Sequence, residues 1–156
     1  MPTVESVMAS KSGPAIASAQ AGQVTVQRGT YELTATQAED NTLVIRAVKL
    51  PAQHRFVQCI LENDDLDSGA TAELDVGLED TIQDPADTTD SQLIAAGVSG
   101  QGAAAAVLVS QAALELPAVN YDRYITVAVA TAATTGLAGG VAVTLFSRPE
   151  LGSQFE

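Results

Sequence analysis

The chain has 156 residues, with seven Lys and Arg against nineteen Asp and Glu, and a formal net charge of −12 at pH 7. This length suits one domain that buries roughly 70% of its unfolded surface without disulfide support. The acidic balance disfavours nucleic acid and anionic membranes as partners, because both need clustered cations. The one cysteine, Cys59, excludes a disulfide within the chain, and its strand context RFVQCILE predicts a small buried hydrophobe.

Residues 1–22 are rich in Ala, Ser, Gly and Pro and show no apolar period. Such a segment buries too little apolar surface to offset the entropy of ordering it, so we predict an extended N-terminal arm. The start of the chain lacks the pattern of a signal peptide, and no stretch approaches the roughly 20 apolar residues of a membrane span, so we expect a soluble protein made in a cytoplasm. We expect the arm to dock on another chain through spaced apolar anchors, which are Val4, Val7, Met8 and Ile16.

Residues 23–147 form the predicted folded body, and residues 148–156 form a short C-terminal tail. QVTVQ and TYELTA flank Arg28-Gly29 as a bent strand or hairpin, and TLVIRAVKL follows the polar QAEDN turn. HRFVQCILEN leads into an acidic turn, after which ATAELDVGLED alternates apolar and polar residues with the period of a half-buried strand. RYITVAVAT and GVAVTLFSR are the last two strands, joined by a hairpin loop.

Two segments of the body are ambiguous. GQGAAAAVLVSQAALEL could be a helix because Ala has the highest helix propensity, but the preceding glycines, the following Pro117 and the Val-Leu-Val centre favour a strand. LEDTIQDPADTTDSQLIAAGV is interpreted as a long, acidic, exposed loop in which Asp90 or Ser91 could cap one helical turn. The spacing of strands and turns predicts an all-β fold, a jelly-roll-like antiparallel β-sandwich of about eight strands.

The sequence contains few candidates for catalysis. His54 is the single histidine and stands in a predicted turn, with no GxSxG motif in the chain, so neither a zinc site nor a nucleophilic triad is indicated. The glycine-rich stretches do not continue into the Lys-Ser/Thr of a P-loop. We therefore predict no catalytic residue and no cofactor, and interpret His54 as an ordinary turn charge.

The acidic loops contain candidates for calcium binding, because carboxylate oxygens are the preferred ligands of calcium. The spacing does not fit an EF-hand, and solvated loop carboxylates are the alternative interpretation. The weak candidates are Asp64, Asp65 and Asp67, with Asp84, Asp87 and Asp90 in the next loop.

Two groups of residues are candidates for contact with other chains. Cations near the LPAQ turn are either ordinary hairpin charge or a contact with an acidic partner, and they are Arg46, Lys49 and Arg55. The last two strands carry small uncharged side chains on their predicted outward face, where an isolated sheet normally carries charge against aggregation. This face predicts a homo-oligomer interface formed by Thr126, Ala128, Ala130, Ala142 and Thr144.

The succession GTYELTATQAEDNTLVIRAVKLPAQHRFVQCILENDDLDSGATAELDVGLED, followed by YITVAVATAA and GGVAVTLF, resembles the capsid decoration (cement) proteins of tailed bacteriophages. The resemblance covers about residues 23–147 and rests on turn-and-strand patterns such as Asp-Leu-Asp-Ser-Gly. It implies a β-sandwich knob, commonly trimeric, that lies on the outer capsid surface, contacts the major capsid protein and ties capsomers together without catalysis. The alternative is a head-fibre or tail-associated module that recognises a host glycan, although the chain has no Trp for stacking on sugars.

Overall fold

The computed structural model describes residues 3–5, 24–69, 71–79 and 91–150. These residues contain strands and two short helices, neither of which is long and apolar enough to cross a lipid bilayer. In chain order the elements are β1 (Thr3–Glu5), β2 (Thr25–Leu33), α1 (Ala35–Ala38), β3 (Val44–Leu50), β4 (His54–Asn63), β5 (Glu73–Glu79), β6 (Ser91–Ser99), β7 (Ala104–Leu108), α2 (Gln111–Glu115), β8 (Arg123–Thr131) and β9 (Gly139–Pro149).

Strands β2 to β9 make two antiparallel sheets that pack face to face. Sheet 1 has the order β3-β8-β5-β6, with β1 added in parallel beside β3, and sheet 2 has the order β2-β9-β4-β7. From β2 to β9 the chain passes to the other sheet at every connection except the one between β5 and β6. The all-β sandwich predicted from the sequence is confirmed.

The core lies between the sheets and is built from alternate residues of the strands, since successive side chains of a strand point to opposite faces. Cys59 belongs to this core and is fully buried, as predicted, and burial raises the pKa of its thiol to about 12. The apolar residues at alternate positions of three strands are buried: Leu74, Val76 and Leu78 in β5, Ile125, Val127 and Val129 in β8, and Val141, Val143 and Leu145 in β9.

The strand predicted at TYELTA ends two residues earlier, at Leu33, because Thr34 is the N-cap of a helix that begins at Ala35. The Thr34 hydroxyl accepts a hydrogen bond from the Gln37 backbone N–H, and the Gln37 side-chain oxygen accepts one from the Thr34 N–H. This reciprocal pair is a capping box, whose Thr-x-x-Gln signal was present in the sequence.

The two ambiguous segments were each predicted only in part. The Ala-rich segment is a strand only as far as Leu108, and its second half forms α2, with Ala113 buried. The segment interpreted as a loop contains β6, which pairs with β5, and its residues 80–90 lie outside the described part of the chain.

The boundaries of the sandwich also differ from those expected. β9 continues to Pro149, past the predicted end of the body at residue 147. At the other end, Thr3–Glu5 of the predicted arm pairs with β3 of the same chain, with Val4 opposite Ile45. The first strand of the described chain is therefore attached to its own sandwich.

Candidate functional site

The outward face of sheet 1 is crossed by a buried Arg–Glu pair. β8 lies between β3 and β5, and Arg46 of β3 donates two hydrogen bonds over it to the Glu79 carboxylate of β5, at 2.9 Å and 2.5 Å. The two side chains are only 8% and 7% exposed. The Arg46 guanidinium also lies 4.7 Å from the centre of the Tyr124 ring of β8, a cation–π contact. The pair therefore covers the outward surface of β8.

Sheet 2 repeats this arrangement at its own central strand. β9 lies between β2 and β4, and an ion pair joins Arg28 of β2 to Glu62 of β4. In the strand register Arg28 is opposite Thr144 and Glu62 is opposite Ala142, so the pair passes over β9. These charged side chains are 51% and 39% exposed, so the pair is open to water.

The five small residues predicted as one interface lie on two opposite outward faces. Thr126, Ala128 and Ala130 belong to sheet 1, and the other two, Ala142 and Thr144, belong to sheet 2. Thr126 and Ala142 are buried, because long side chains from the flanking strands fold over the central strand. The grouping into one surface was therefore wrong, whereas an interface between copies on either face stays a prediction.

The predicted basic patch is divided between the two sheets. Arg46 and Lys49 lie on β3 of sheet 1, and Arg55 lies on β4 of sheet 2. Lys49 Nζ is 3.4 Å from a carboxylate oxygen of Asp122, and Arg55 donates to Glu150 at 3.2 Å. An acidic partner would have to compete with these internal pairs.

His54 is not the turn charge that the sequence suggested. It is the first residue of β4, is buried, and has its Nδ1 atom 3.1 Å from the hydroxyl of the fully buried Ser147. Burial lowers the pKa of the His54 imidazole, since it disfavours the charged form. We interpret His54 as a neutral core residue.

Of the predicted arm anchors, Val7, Met8 and Ile16 lie outside the described residues.

The acidic turn after β4 is organised by the Asp67 carboxylate, which is buried. Burial alone would raise the pKa of this carboxyl, but backbone donors led by Thr135 outweigh it and hold the pKa far below the usual range. Because the donors come from two loops, Asp67 joins the β4–β5 connection to the β8–β9 loop. The backbone N–H groups that donate to it, at 2.9–3.2 Å, belong to Gly69, Thr71, Ala72, Thr134 and Thr135.

The three weak calcium candidates do not converge on one point. Asp64 accepts a hydrogen bond from the Gly140 N–H at 2.7 Å, and Asp65 accepts one from the Gly102 N–H at 3.1 Å. Within the described ranges, no three metal-binding side chains are grouped so that they could hold an ion. The carboxylates stabilise loop backbone instead, and the second loop's candidates, residues 84, 87 and 90, lie outside the described ranges.

A shallow groove of about 500 Å³ runs along the outward face of sheet 2, beside the Arg28–Glu62 pair. Its lining includes the small residues Ala104, Ala105 and Ala142, and acids stand at Glu32 and Glu62. A groove of this composition disfavours anionic ligands and offers no nucleophile and base in contact.

No protein-family model and no curated protein matches the chain. Solved structures do match. A chain in the structure described as "Capsid of Ralstonia phage GP4" is 29% identical with a TM-score of 0.80, over 97% of this chain and 100% of that chain. A chain in "Cyanophage Pam1 capsid asymmetric unit" shares the fold, at 22% identity and a TM-score of 0.57, over 87% and 91% of the two chains. The chain is thus similar over nearly its whole length to a chain of a phage capsid, which supports a capsid-related virion structural protein.

Proposed function

We propose that this chain decorates the outer surface of a phage capsid and ties neighbouring capsomers together. The observation that carries the proposal is the structural similarity to a chain of the Ralstonia phage GP4 capsid, which extends over 97% of this chain with a TM-score of 0.80. It agrees with the resemblance noted in the sequence. The partner is the major capsid protein, and the jelly-roll knob takes its place on the virion after synthesis in the host cytoplasm.

The charge of the chain supports the outer rather than the inner surface of the shell. The net charge is −12, and between Glu62 and Asp122 the sequence contains acids but no Lys or Arg. Packaged DNA is a dense array of phosphates that binds proteins through clustered cations. An acidic knob facing that DNA would be repelled, whereas the same charge on the outside keeps particles apart and in solution.

The proposed assembly is a homotrimer, the state that the resemblance implies. Three copies joined on one axis attach to the shell through three contacts, so that each contact can be weak while the whole attachment is tight. The contacts proposed from the sequence are the arm and the three cations. Each cation would have to give up an internal partner on binding, and these partners are Glu79 for Arg46, Asp122 for Lys49 and Glu150 for Arg55.

Electron cryomicroscopy of virions made with and without this protein tests the proposal. We expect outer-surface density of the size of the sandwich in the complete particles, its loss in the depleted ones, and its return when purified protein is added back. Depleted particles should also release their DNA at a lower temperature. Density on the inner surface or on the tail, or particles of equal heat resistance, would contradict decoration and cementing.

A further inference from the structure

β7 forms one edge of sheet 2. Within the described ranges its strand neighbour is β4, and the pairing between them runs without interruption from Ala104 opposite Asn63 to Leu108 opposite Cys59. Among the described residues, no strand lies on the other side of β7. Val107 and Val109, at 66% and 57% exposure, are the most exposed large apolar residues of the described chain.

This edge lacks the features that normally prevent sheets from pairing with one another, which are charged side chains, Pro and bulges. Residues 101–111, QGAAAAVLVSQ, contain neither a charge nor a Pro. Other edges of the sandwich are protected. β2 carries Arg28 and Glu32, and β6 is irregular in register and contains Gly97 at a φ of 64°, with its N–H donating to Asp75.

The exposed segment is complementary to itself when it pairs antiparallel about Ala106. In that register Val107 lies opposite Ala105 of a second copy, and Leu108 lies opposite Ala104. The flanking residues continue the pattern, since Val109 comes opposite residue 103, another Ala. On either side of the central Ala106 pair, a large side chain therefore meets an Ala, the arrangement in which cross-strand neighbours pack without collision. No acid meets an acid, although the chain as a whole carries −12.

We propose that β7 pairs with β7 of a second copy around a two-fold axis at Ala106, so that the sheets containing the two β7 strands become continuous. The contact is short, well below the roughly 1,000 Å² expected of a stable interface, so it is weak between free copies and effective between copies held side by side. A two-fold contact cannot close a ring of three. It is therefore distinct from a trimer contact and would join one oligomer to the next.

Disulfide trapping in the purified full-length protein tests the contact and its register. In Ala106→Cys the two new cysteines face each other across the axis as a non-hydrogen-bonded pair, because the backbone groups of Ala106 are directed at Leu61 of β4. Their Cα atoms would lie about 4.5 Å apart, within the range of a disulfide. Ala103→Cys is the matched control, because it lies in the same uncharged, exposed segment but about 20 Å from its counterpart, at about 3.4 Å per residue. Cys59 remains as it is, since it is buried with a pKa of about 12.

We expect Ala106→Cys to form a covalent dimer under mild oxidation at least tenfold faster than Ala103→Cys. Adding Val107→Lys to Ala106→Cys should lower that rate at least tenfold, with an unchanged circular dichroism spectrum as the control for folding. Equal rates for positions 106 and 103, or a rate insensitive to Val107→Lys, would overturn the proposal. No capsid takes part, so this result and the imaging of virions succeed or fail independently.

Discussion

The Arg46 guanidinium and the Glu79 carboxylate meet above β8 through two hydrogen bonds in a position almost closed to solvent. Arg28 and Glu62 form the corresponding ion pair above β9, where both side chains are exposed to solvent. The chain thus contains two pairs of the same residue types with the same relation to a central strand and different burial. This difference predicts different contributions to stability.

We expect Glu79→Gln to lower the free energy of unfolding by about 3 kcal/mol, because removing one partner of a buried ion pair leaves a desolvated charge opposite a neutral group. Glu62→Gln is the matched control and should cost less than about 1 kcal/mol, as exposed pairs usually do. Urea denaturation of both variants measures the two losses. Equal losses would show that burial of the Arg46–Glu79 pair does not govern its contribution.

Asp67→Asn should lower the melting temperature strongly, because one amide oxygen replaces a carboxylate that accepts from the backbone of two loops. Asp64→Asn is the control, since Asp64 accepts one backbone hydrogen bond, from Gly140. Hydrogen exchange should show the loss of protection at Thr134 and Thr135 in the first variant alone. Similar melting temperatures for the two variants would contradict the role assigned to Asp67.

The depressed pKa of Asp67 also predicts a dependence of stability on pH. Because the folded state holds this carboxyl ionised, its contribution is complete above the unfolded value of about 3.9 and is lost as the pH falls toward the lower, folded value. Urea midpoints between pH 7 and pH 3 should therefore fall more steeply for the natural chain than for Asp67→Asn. Parallel curves would exclude Asp67 as a source of acid sensitivity.

His54 predicts a second pH effect at milder acidity. Its folded pKa is lowered by burial, so the unfolded chain takes up the proton first, and stability begins to fall once the pH drops below the unfolded value of about 6.5. In His54→Gln this loss of stability between pH 7 and pH 5 should disappear. The substitution can also lower the free energy of unfolding at pH 8, but that change does not affect the comparison of slopes. A slope unchanged by the substitution would mean that other groups cause it.

The interface predicted on sheet 1 is best tested at Ala130, which is exposed, because Thr126 is buried beside the Arg46–Glu79 pair and its replacement would disturb the fold. If this face joins copies, Ala130→Glu places an unpaired charge in the contact and should convert an oligomer into monomers without changing the melting of the monomer. Light scattering at micromolar concentration measures the mass. A monomeric natural chain would exclude a stable interface here.

The local alternation of apolar and polar residues was sufficient to predict the strands of the core and their inward faces, as in β8 and β9. β6 was missed because its sequence, SQLIAAGVS, has small residues and a glycine where alternation would have marked a strand. The charge pairs could not be predicted either. Arg46 and Glu79 are 33 positions apart, and they meet because β3 and β5 flank β8, a property of strand order that local pattern does not contain. Without knowledge of these ion pairs, the outward faces of β8 and β9 had no charged side chains to cover them. The sequence analysis therefore predicted that a second copy of the chain covers them.

The strand order has a consequence for synthesis. β2 pairs with β9, and β3 pairs with β8 as well as with the three-residue β1, so the long antiparallel partners of two early strands come only from the end of the chain. A ribosome releases the chain from its N-terminal side, so these antiparallel pairings cannot form until nearly the whole sandwich has emerged. Folding that depends on such distant pairings is slow, because long loops close before their contacts form. Like charges repel, so we expect the acidic charge of the chain to reduce association between the unpaired strands of neighbouring nascent chains.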